Sequence, residues 1–293
     1  MTAIKEKAYA KINLYLDVIG IREDGFHDIK TVMHSVSLSD EVTVSVEASK
    51  TMSITLKIDG NPYLPTDSKN LVYRAAAMFY EKLGVSANVK IKLVKHIPVA
   101  GGLAGGSSDA AATLRALNKL YKRPFTSKAL LNMGAELGSD VPYCIMGKTA
   151  LCEGRGEKMT KLDSALRMHF VIASAGDHVS TPEAYRALDE QYSFFDGSVA
   201  RCGEEHLESL IRMLYDGRFD KSALYNIFEA PVLSRCARSS DMKRELDLLS
   251  GGAAMMSGSG PSVFAVFPTE AEARAAAATL REQGFFAEYA TSV

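Results

Sequence analysis

Cysteine is scarce in this chain of 293 residues: four, at positions 144, 152, 202 and 236. No two have CxxC spacing, and the wide, irregular gaps exclude a zinc knuckle. In a chain this long they are expected to be reduced, mostly buried and cytoplasmic. An excess of either charge is also missing, with 34 Lys plus Arg against 35 Asp plus Glu and a net charge of -1. That balance gives no basis for a nucleic-acid or membrane partner, so a phosphate ligand has to be held by a local device. Long apolar runs are absent. The uncharged stretch 248–269 is broken throughout by Gly, Ser and Pro and reads as loop and strand rather than a membrane span. The opening MTAIKEKAYAK has no apolar core and is not expected to be a signal peptide. No internal repeat or low-complexity linker stands out. What is present is 47% hydrophobic and 24% charged residues, which excludes wholesale disorder, and enough length for two domains with a sizeable core.

Residues 8–19 alternate, with Ala8, Ala10, Ile12, Leu14, Leu16 and Val18 on one face and Tyr9, Lys11, Asn13, Tyr15 and Asp17 on the other. Period two predicts a strand and puts Lys11 and Asn13 on the same side. Residues 20–28 read as a turn-rich loop; 31–38, 42–47 and 53–58 read as strands. Leu71, Ala75, Phe79 and Leu83 recur every four residues and predict a helix over 70–83. Val89, Ile91 and Leu93 alternate with Lys90 and Lys92 in a further strand. A glycine-rich loop at 98–106 precedes a helix expected from about Ser108. Thr126 caps another helix, which Gly138 ends. Later elements are strands at 150–152 and 170–173, a capped helix from Ser180, helices at 204–215 and 230–249, and a strand–turn–strand–helix–strand order to 291. This order predicts an α+β fold with antiparallel neighbours, divided near 155–165 into an N-terminal part (1–158) and a C-terminal part (159–293).

The densest signal is Pro98-Val99-Ala100-Gly101-Gly102-Leu103-Ala104-Gly105-Gly106-Ser107-Ser108. Four glycines in six residues, after a strand and before a helix, let successive backbone N–H groups turn toward one centre. The helix adds its unpaired N–H groups and positive dipole end, which together make an anion cradle suited to nucleotide phosphates. A tight turn with a serine cap requires one or two glycines, not four. The class of loop is narrowed by elimination. Gly101 and Gly106 have Walker A spacing, but Ser107 stands where Lys is required. No GxGxxG, HRD, DFG or GxSxG pattern occurs.

The loop resembles the second motif of the GHMP kinases, the family of galactokinase, homoserine kinase, mevalonate kinase and phosphomevalonate kinase. Two further stretches match in order: Lys11-Ile12-Asn13-Leu14, similar to the N-terminal motif, and Met256-Ser257-Gly258-Ser259-Gly260-Pro261-Ser262, similar to the C-terminal glycine motif. Asp24-Gly25-Phe26-His27 and Gly138-Ser139-Asp140-Val141-Pro142 narrow the resemblance to kinases whose alcohol carries a cytidine diphosphate group.

The resemblance implies a two-domain GHMP-kinase-like fold, ATP as phosphoryl donor and a magnesium ion (Mg2+) bridging its phosphates. It gives the catalytic roles to Lys11 and Asp140. Taken alone, Lys11 reads equally as a lysine on a solvated strand face, and Asp140 as the cap of the next turn. The resemblance assigns nucleotide contacts to Asn70, Lys95 and the loop 98–108, although Asn70 is also a good N-cap for the helix that follows it. It assigns cytosine recognition to His27, ring stacking to Phe26 (where Tyr is more usual) and Tyr185, and polar substrate contacts to Asn13 and Thr181. The stretch 257–262 is expected to wall the phosphate loop without doing chemistry. The other histidines, at 34, 96, 169, 178 and 206, show no ligand spacing. The competing readings are a homoserine- or mevalonate-type kinase, which has no base to stack on Phe26 and Tyr185, and a non-catalytic nucleotide-binding regulator, which has no need of both Lys11 and Asp140. Monomer and homodimer are both open.

Overall fold

Strand β1 (Ala3–Ile21) is buried on both faces from Ala10 to Leu16 and on to Val18. The polar face read from the sequence is therefore interior: Lys11 is 4% exposed and Asn13 2%. Alternation marks a strand, but it cannot say whether the polar side meets water or other polar groups. The protein is described by a computed structural model over residues 2–99, 101–192 and 203–293; the loop residue Ala100 and Cys202 lie outside the described residues.

The chain forms two compact units, each discontinuous in sequence: Met1–Ala10, Ser39–Val99 and Ala104–Gly147 in one, Lys11–Leu38, Ala100–Leu103 and Lys148–Val293 in the other. In the first unit, β3 (Ser53–Asp59) pairs parallel with β4 (Ala87–Val94). Strand β4 pairs antiparallel with the second half of β2 (His27–Ala48), Val44 opposite Ile91. The expected strands at 31–38 and 42–47 are one element because nothing between them breaks a ladder: no Gly or Pro intervenes, and buried Asp40 finds partners. The apolar face of β4 (Val89, Ile91, Leu93) packs with Ala75 and Phe79 of α1 (Leu71–Leu83), Leu114 and Leu117 of α2 (Gly105–Leu120), and Met133 of α3 (Ser127–Leu137). Helix α3 has its Thr126 cap, with Oγ1 accepting from the Ala129 N–H at 3.3 Å. A short α4 (Val141–Met146) follows.

In the second unit, the first half of β2 pairs antiparallel with β5 (Thr149–Gly154), and β5 with β6 (Lys158–Leu162). A separate antiparallel sheet has the order β11-β7-β10-β9, built from Phe286–Thr291, His169–Ser174, Val263–Phe267 and Ala254–Met256. Its apolar face packs with Met242 and Leu246 of α8 (Ala237–Leu249) and Leu280 of α9 (Glu270–Glu282). Helix α5 (Thr181–Gln191) starts with the Ser180–Glu183 capping box. Helix α6 (Gly203–Asp216) follows, then a two-residue strand β8 (Tyr225–Asn226) parallel to β1. The helix expected over 230–249 is two, α7 (Glu229–Leu233) and α8, because the Asp177 carboxylate accepts the Ser239 N–H at 2.9 Å and starts α8 afresh. The α+β class is as expected.

Candidate functional site

In the second unit, the tip of the glycine loop lies against the C-terminal glycine motif. Gly102 has φ +74°, and a Cβ there would overlap the Ser257 carbonyl; a Cβ at Gly101 would overlap the Ser262 hydroxyl. Only glycine allows this approach of two backbones. The Gly102 carbonyl accepts from Lys11 Nζ at 2.6 Å and from Ser257 Oγ at 3.2 Å, and the Lys11 N–H donates to the Leu103 carbonyl at 3.1 Å. Stretch 257–262 is thus the wall expected of it. Lys11 Nζ also donates to Asn13 Oδ1 at 2.7 Å, Asn13 Nδ2 to Thr31 Oγ1 at 2.8 Å, and Thr31 Oγ1 to the Tyr15 carbonyl at 2.6 Å. This relay pays for burying a lysine and an amide inside a sheet and fixes the orientation of both.

In the first unit, the loop turns into α2 at Ala104, a non-glycine residue in the left-handed region at φ +56°. The helix begins at Gly105, three residues before the expected start. Its first intrahelical bond runs from the Ser108 N–H to the Ala104 carbonyl at 2.9 Å. The N–H groups of Gly105, Gly106 and Ser107 precede it, as the first turn of any helix leaves them, and Gly106 is exposed. Ser107 is half-buried, whereas Ser108 is buried and donates its Oγ to the Tyr9 carbonyl at 2.7 Å. Of the paired serines, Ser107 is the one whose hydroxyl makes no hydrogen bond among the described residues. Pro98 is half-buried and Val99 exposed.

Lys95, expected beside the nucleotide, sits in an ion cluster beneath this turn. Its Nζ contacts the carboxylates of Asp40 and of Asp109, the latter at 2.7 Å, and its side chain is 6% exposed. Burial disfavours the ammonium, but the two carboxylates outweigh it and hold Lys95 above its ordinary value. Burial pushes the Asp109 carboxyl up, an effect Lys95 offsets only in part. Asn70 caps α1, with Oδ1 accepting from the Val72 N–H at 2.9 Å and Nδ2 donating to the Pro65 carbonyl at 2.8 Å. One amide proton and one lone pair are left for a ligand. Asp140 stands at the N-cap position of α4 with helical φ and ψ, and its side chain makes no cap hydrogen bond. The turn-capping role open to it in the sequence is therefore not the one it fills.

Elsewhere in the second unit, His27 and Tyr185 come together with ring centroids 4.5 Å apart, and Tyr185 meets Phe228 edge-on at 4.8 Å. Phe26 is half exposed, with the Arg155 guanidinium 3.6 Å above its ring centre. Thr181 opens α5, its Oγ1 3.4 Å from Ser259 Oγ. Sequence reading missed Asp189, whose Oδ1 lies 2.8 Å from His27 Nε2. Its signal was present, since Asp189 falls one helical turn after Tyr185 and so shares its face.

The pattern of the GHMP kinases N terminal domain matches residues 70–148, and that of the GHMP kinases C terminal domain residues 201–285. The chain belongs to the GHMP kinases. Among these kinases, it is 41% identical to a 4-diphosphocytidyl-2-C-methyl-D-erythritol kinase of Clostridium botulinum over 89% of this chain and 90% of that protein. It is 40% identical to the like-named kinase of Caldicellulosiruptor saccharolyticus over 94% and 92%. A crystal structure of 4-(cytidine 5'-diphospho)-2C-methyl-D-erythritol kinase superposes with a TM-score of 0.79 at 31% identity, covering 99% of both chains. A homoserine kinase from Cytophaga hutchinsonii shares the fold, with a TM-score of 0.76 at 23% identity. No described helix of this kinase is long and apolar enough to cross a membrane.

Proposed function

We infer that this kinase transfers the γ-phosphoryl group of ATP to the 2-hydroxyl of 4-diphosphocytidyl-2-C-methyl-D-erythritol, in the cytoplasm, within the non-mevalonate route to isoprenoid precursors. The observation that carries this is the 41% identity over nine-tenths of both chains to a kinase named for that substrate. The pairing of His27 with the Tyr185 ring supports it, because an imidazole and a ring face suit a nucleobase better than a small aliphatic acid.

The 1–158 segment carries the nucleotide loop, whose first-turn N–H groups and Ser107 hydroxyl hold the phosphates; Pro98, Val99, Ala100 and Asn70 are the further nucleotide contacts. Among the described residues no group of three or more His, Cys, Asp or Glu is placed to hold a metal ion. The Ser107 hydroxyl, half-buried in the first turn of α2, would be the side chain to reach a magnesium ion carried on the nucleotide. When bound, the ion offsets phosphate charge. Asp140 receives or orients the alcohol proton, consistent with a carboxylate not consumed by capping. Lys11, held in one orientation by Asn13 and Gly102, stabilises negative charge on the alcohol oxygen. His27, Phe26 and Tyr185 hold the cytosine, while Thr181 and Asn13 make polar substrate contacts.

The test is ATP consumption against a panel of alcohols: the cytidylated methylerythritol, homoserine and mevalonate. Turnover is expected with the first alone. Turnover with either of the others instead would transfer the assignment to that substrate, and ATP binding without turnover of any would indicate a regulator.

A further inference from the structure

The glycine loop is tied at both ends to one buried cluster. Asp40, fully buried on β2, uses Oδ1 to accept the backbone N–H groups of His96 at 2.5 Å and Ile97 at 2.8 Å, the residues leading into the loop. Its Oδ2 contacts Lys95 Nζ, and Lys95 reaches on to Asp109 Oδ2 in the second turn of α2. Lys95 Nζ also lies 3.3 Å from where a Cβ on Gly105 would stand, so the ammonium fills the space under the first turn of the helix. Asp109 is 2% exposed, and its Oδ1 has no hydrogen-bond partner among the described residues.

Three buried charges, two of them carboxylates around one ammonium, are poor value as fold stability, since well-packed apolar groups of the same volume serve as well or better. What they supply is a fixed distance between the strand end and the helix start. We propose that Asp40, Lys95 and Asp109 form a clamp that holds the two ends of the phosphate loop in register, so that Lys95 and both aspartates are positioning residues for ATP rather than contacts to it. The clamp rests on the reading of this loop as the ATP site.

The discriminating set is Asp109→Asn, Lys95→Met, and the double variant Lys95→Met with Asp109→Leu, which removes the ammonium and one carboxylate together and leaves the Asp40 carboxylate on the His96 and Ile97 N–H groups. Affinity for a fluorescent ATP analogue, KM for ATP and for the alcohol, and thermal midpoint are read on each. Each single variant is expected to weaken the analogue about 10- to 100-fold, the scale of a small misplacement of binding groups, and to raise the KM for ATP but not for the alcohol. The double variant is expected to be no worse than either single in affinity, and to regain part of the thermal midpoint lost in Lys95→Met without regaining affinity. Three results would overturn the clamp. In Asp109→Asn, unchanged or tighter analogue binding beside a loss in Lys95→Met would make Lys95 a direct contact. Recovery of both midpoint and affinity in the double variant would make the cluster structural only. Wild-type affinity in all three variants would remove its role. Failure of the wild-type protein to bind the analogue at all would instead reject the ATP site itself.

Discussion

His27 Nε2 stands 2.8 Å from Asp189 Oδ1. An ionised carboxylate only accepts, so Nε2 is the ring nitrogen that carries the proton, and a neutral ring then has its lone pair on Nδ1. With the Tyr185 ring against it, the imidazole is fixed in tautomer and in tilt. Replacing Asp189 with Ala is expected to raise KM for the cytidylated alcohol about tenfold, the loss of an outer hydrogen bond that orients a binding group. KM for ATP and kcat are expected to stay near wild type. Steady-state kinetics with each substrate varied in turn checks this; a fall in kcat with both KM values unchanged would contradict it.

Asp140 and Lys11 differ in what their loss does to the fold. Asp140→Asn removes a carboxylate that makes no cap bond, so turnover is expected to fall by about 10²- to 10⁴-fold with the thermal midpoint held. Lys11→Ala strands the Asn13 Oδ1 in a buried setting, at about 1–3 kcal/mol for an unpaired group, and leaves the Gly102 carbonyl only its bond from Ser257 Oγ. It is therefore expected to lose both turnover and stability. Parallel measurements of kcat and chemical denaturation separate the two; near-normal turnover in Asp140→Asn would reject its assignment.

Ala104 holds a left-handed conformation that disfavours an L side chain by about 1–2 kcal/mol. Ala104→Gly is expected to stabilise the protein by about 0.5–1 kcal/mol, the strain relief less the added chain entropy of glycine. Gly102→Ala is expected to destabilise it by more than this, because the new Cβ would meet the Ser257 carbonyl, a backbone atom that cannot swing aside. Urea denaturation of the pair, with opposite signs of change, checks both.

His34 is buried between Thr149 Oγ1 at 2.8 Å and Ser292 Oγ at 3.0 Å, and burial pushes its imidazole down to about 4. The unfolded chain, with an ordinary imidazole near about 6.5, binds the proton first as pH falls. Its stabilising effect is therefore complete above about pH 6.5 and is lost on acidification through that window toward pH 4, up to about 3 kcal/mol. Denaturation midpoints from pH 7 to 4 should fall more steeply in the wild type than in His34→Gln, which has no proton to gain.

Local signals were legible where neighbours in sequence are also the partners in space. Thr126 and Ser180 cap their helices through bonds three residues away, and the alternation of β4 buries the face it predicts. The glycine loop and its serines were likewise visible. What stayed hidden depends on distant partners. The polar side of β1 is interior because Thr31 and Gly102 receive Asn13 and Lys11. The helix expected over 230–249 is two because the Asp177 carboxylate accepts the Ser239 N–H in the first turn of α8. Asp40 looks like a turn residue between two strands until Lys95, fifty-five positions later, is placed beside it.

The four-stranded sheet has a temporal side. Strand β7 ends at Ser174, while its neighbours β10 and β11 begin at Val263 and Phe286. At elongation speeds of roughly 5–20 residues per second, the fully apolar stretch Phe170–Ala173 leaves the ribosome roughly 4–18 s before β10 can pair with it. For that interval the nascent polypeptide carries an unpaired sticky edge on each side, and chaperone dependence during translation should centre on this segment.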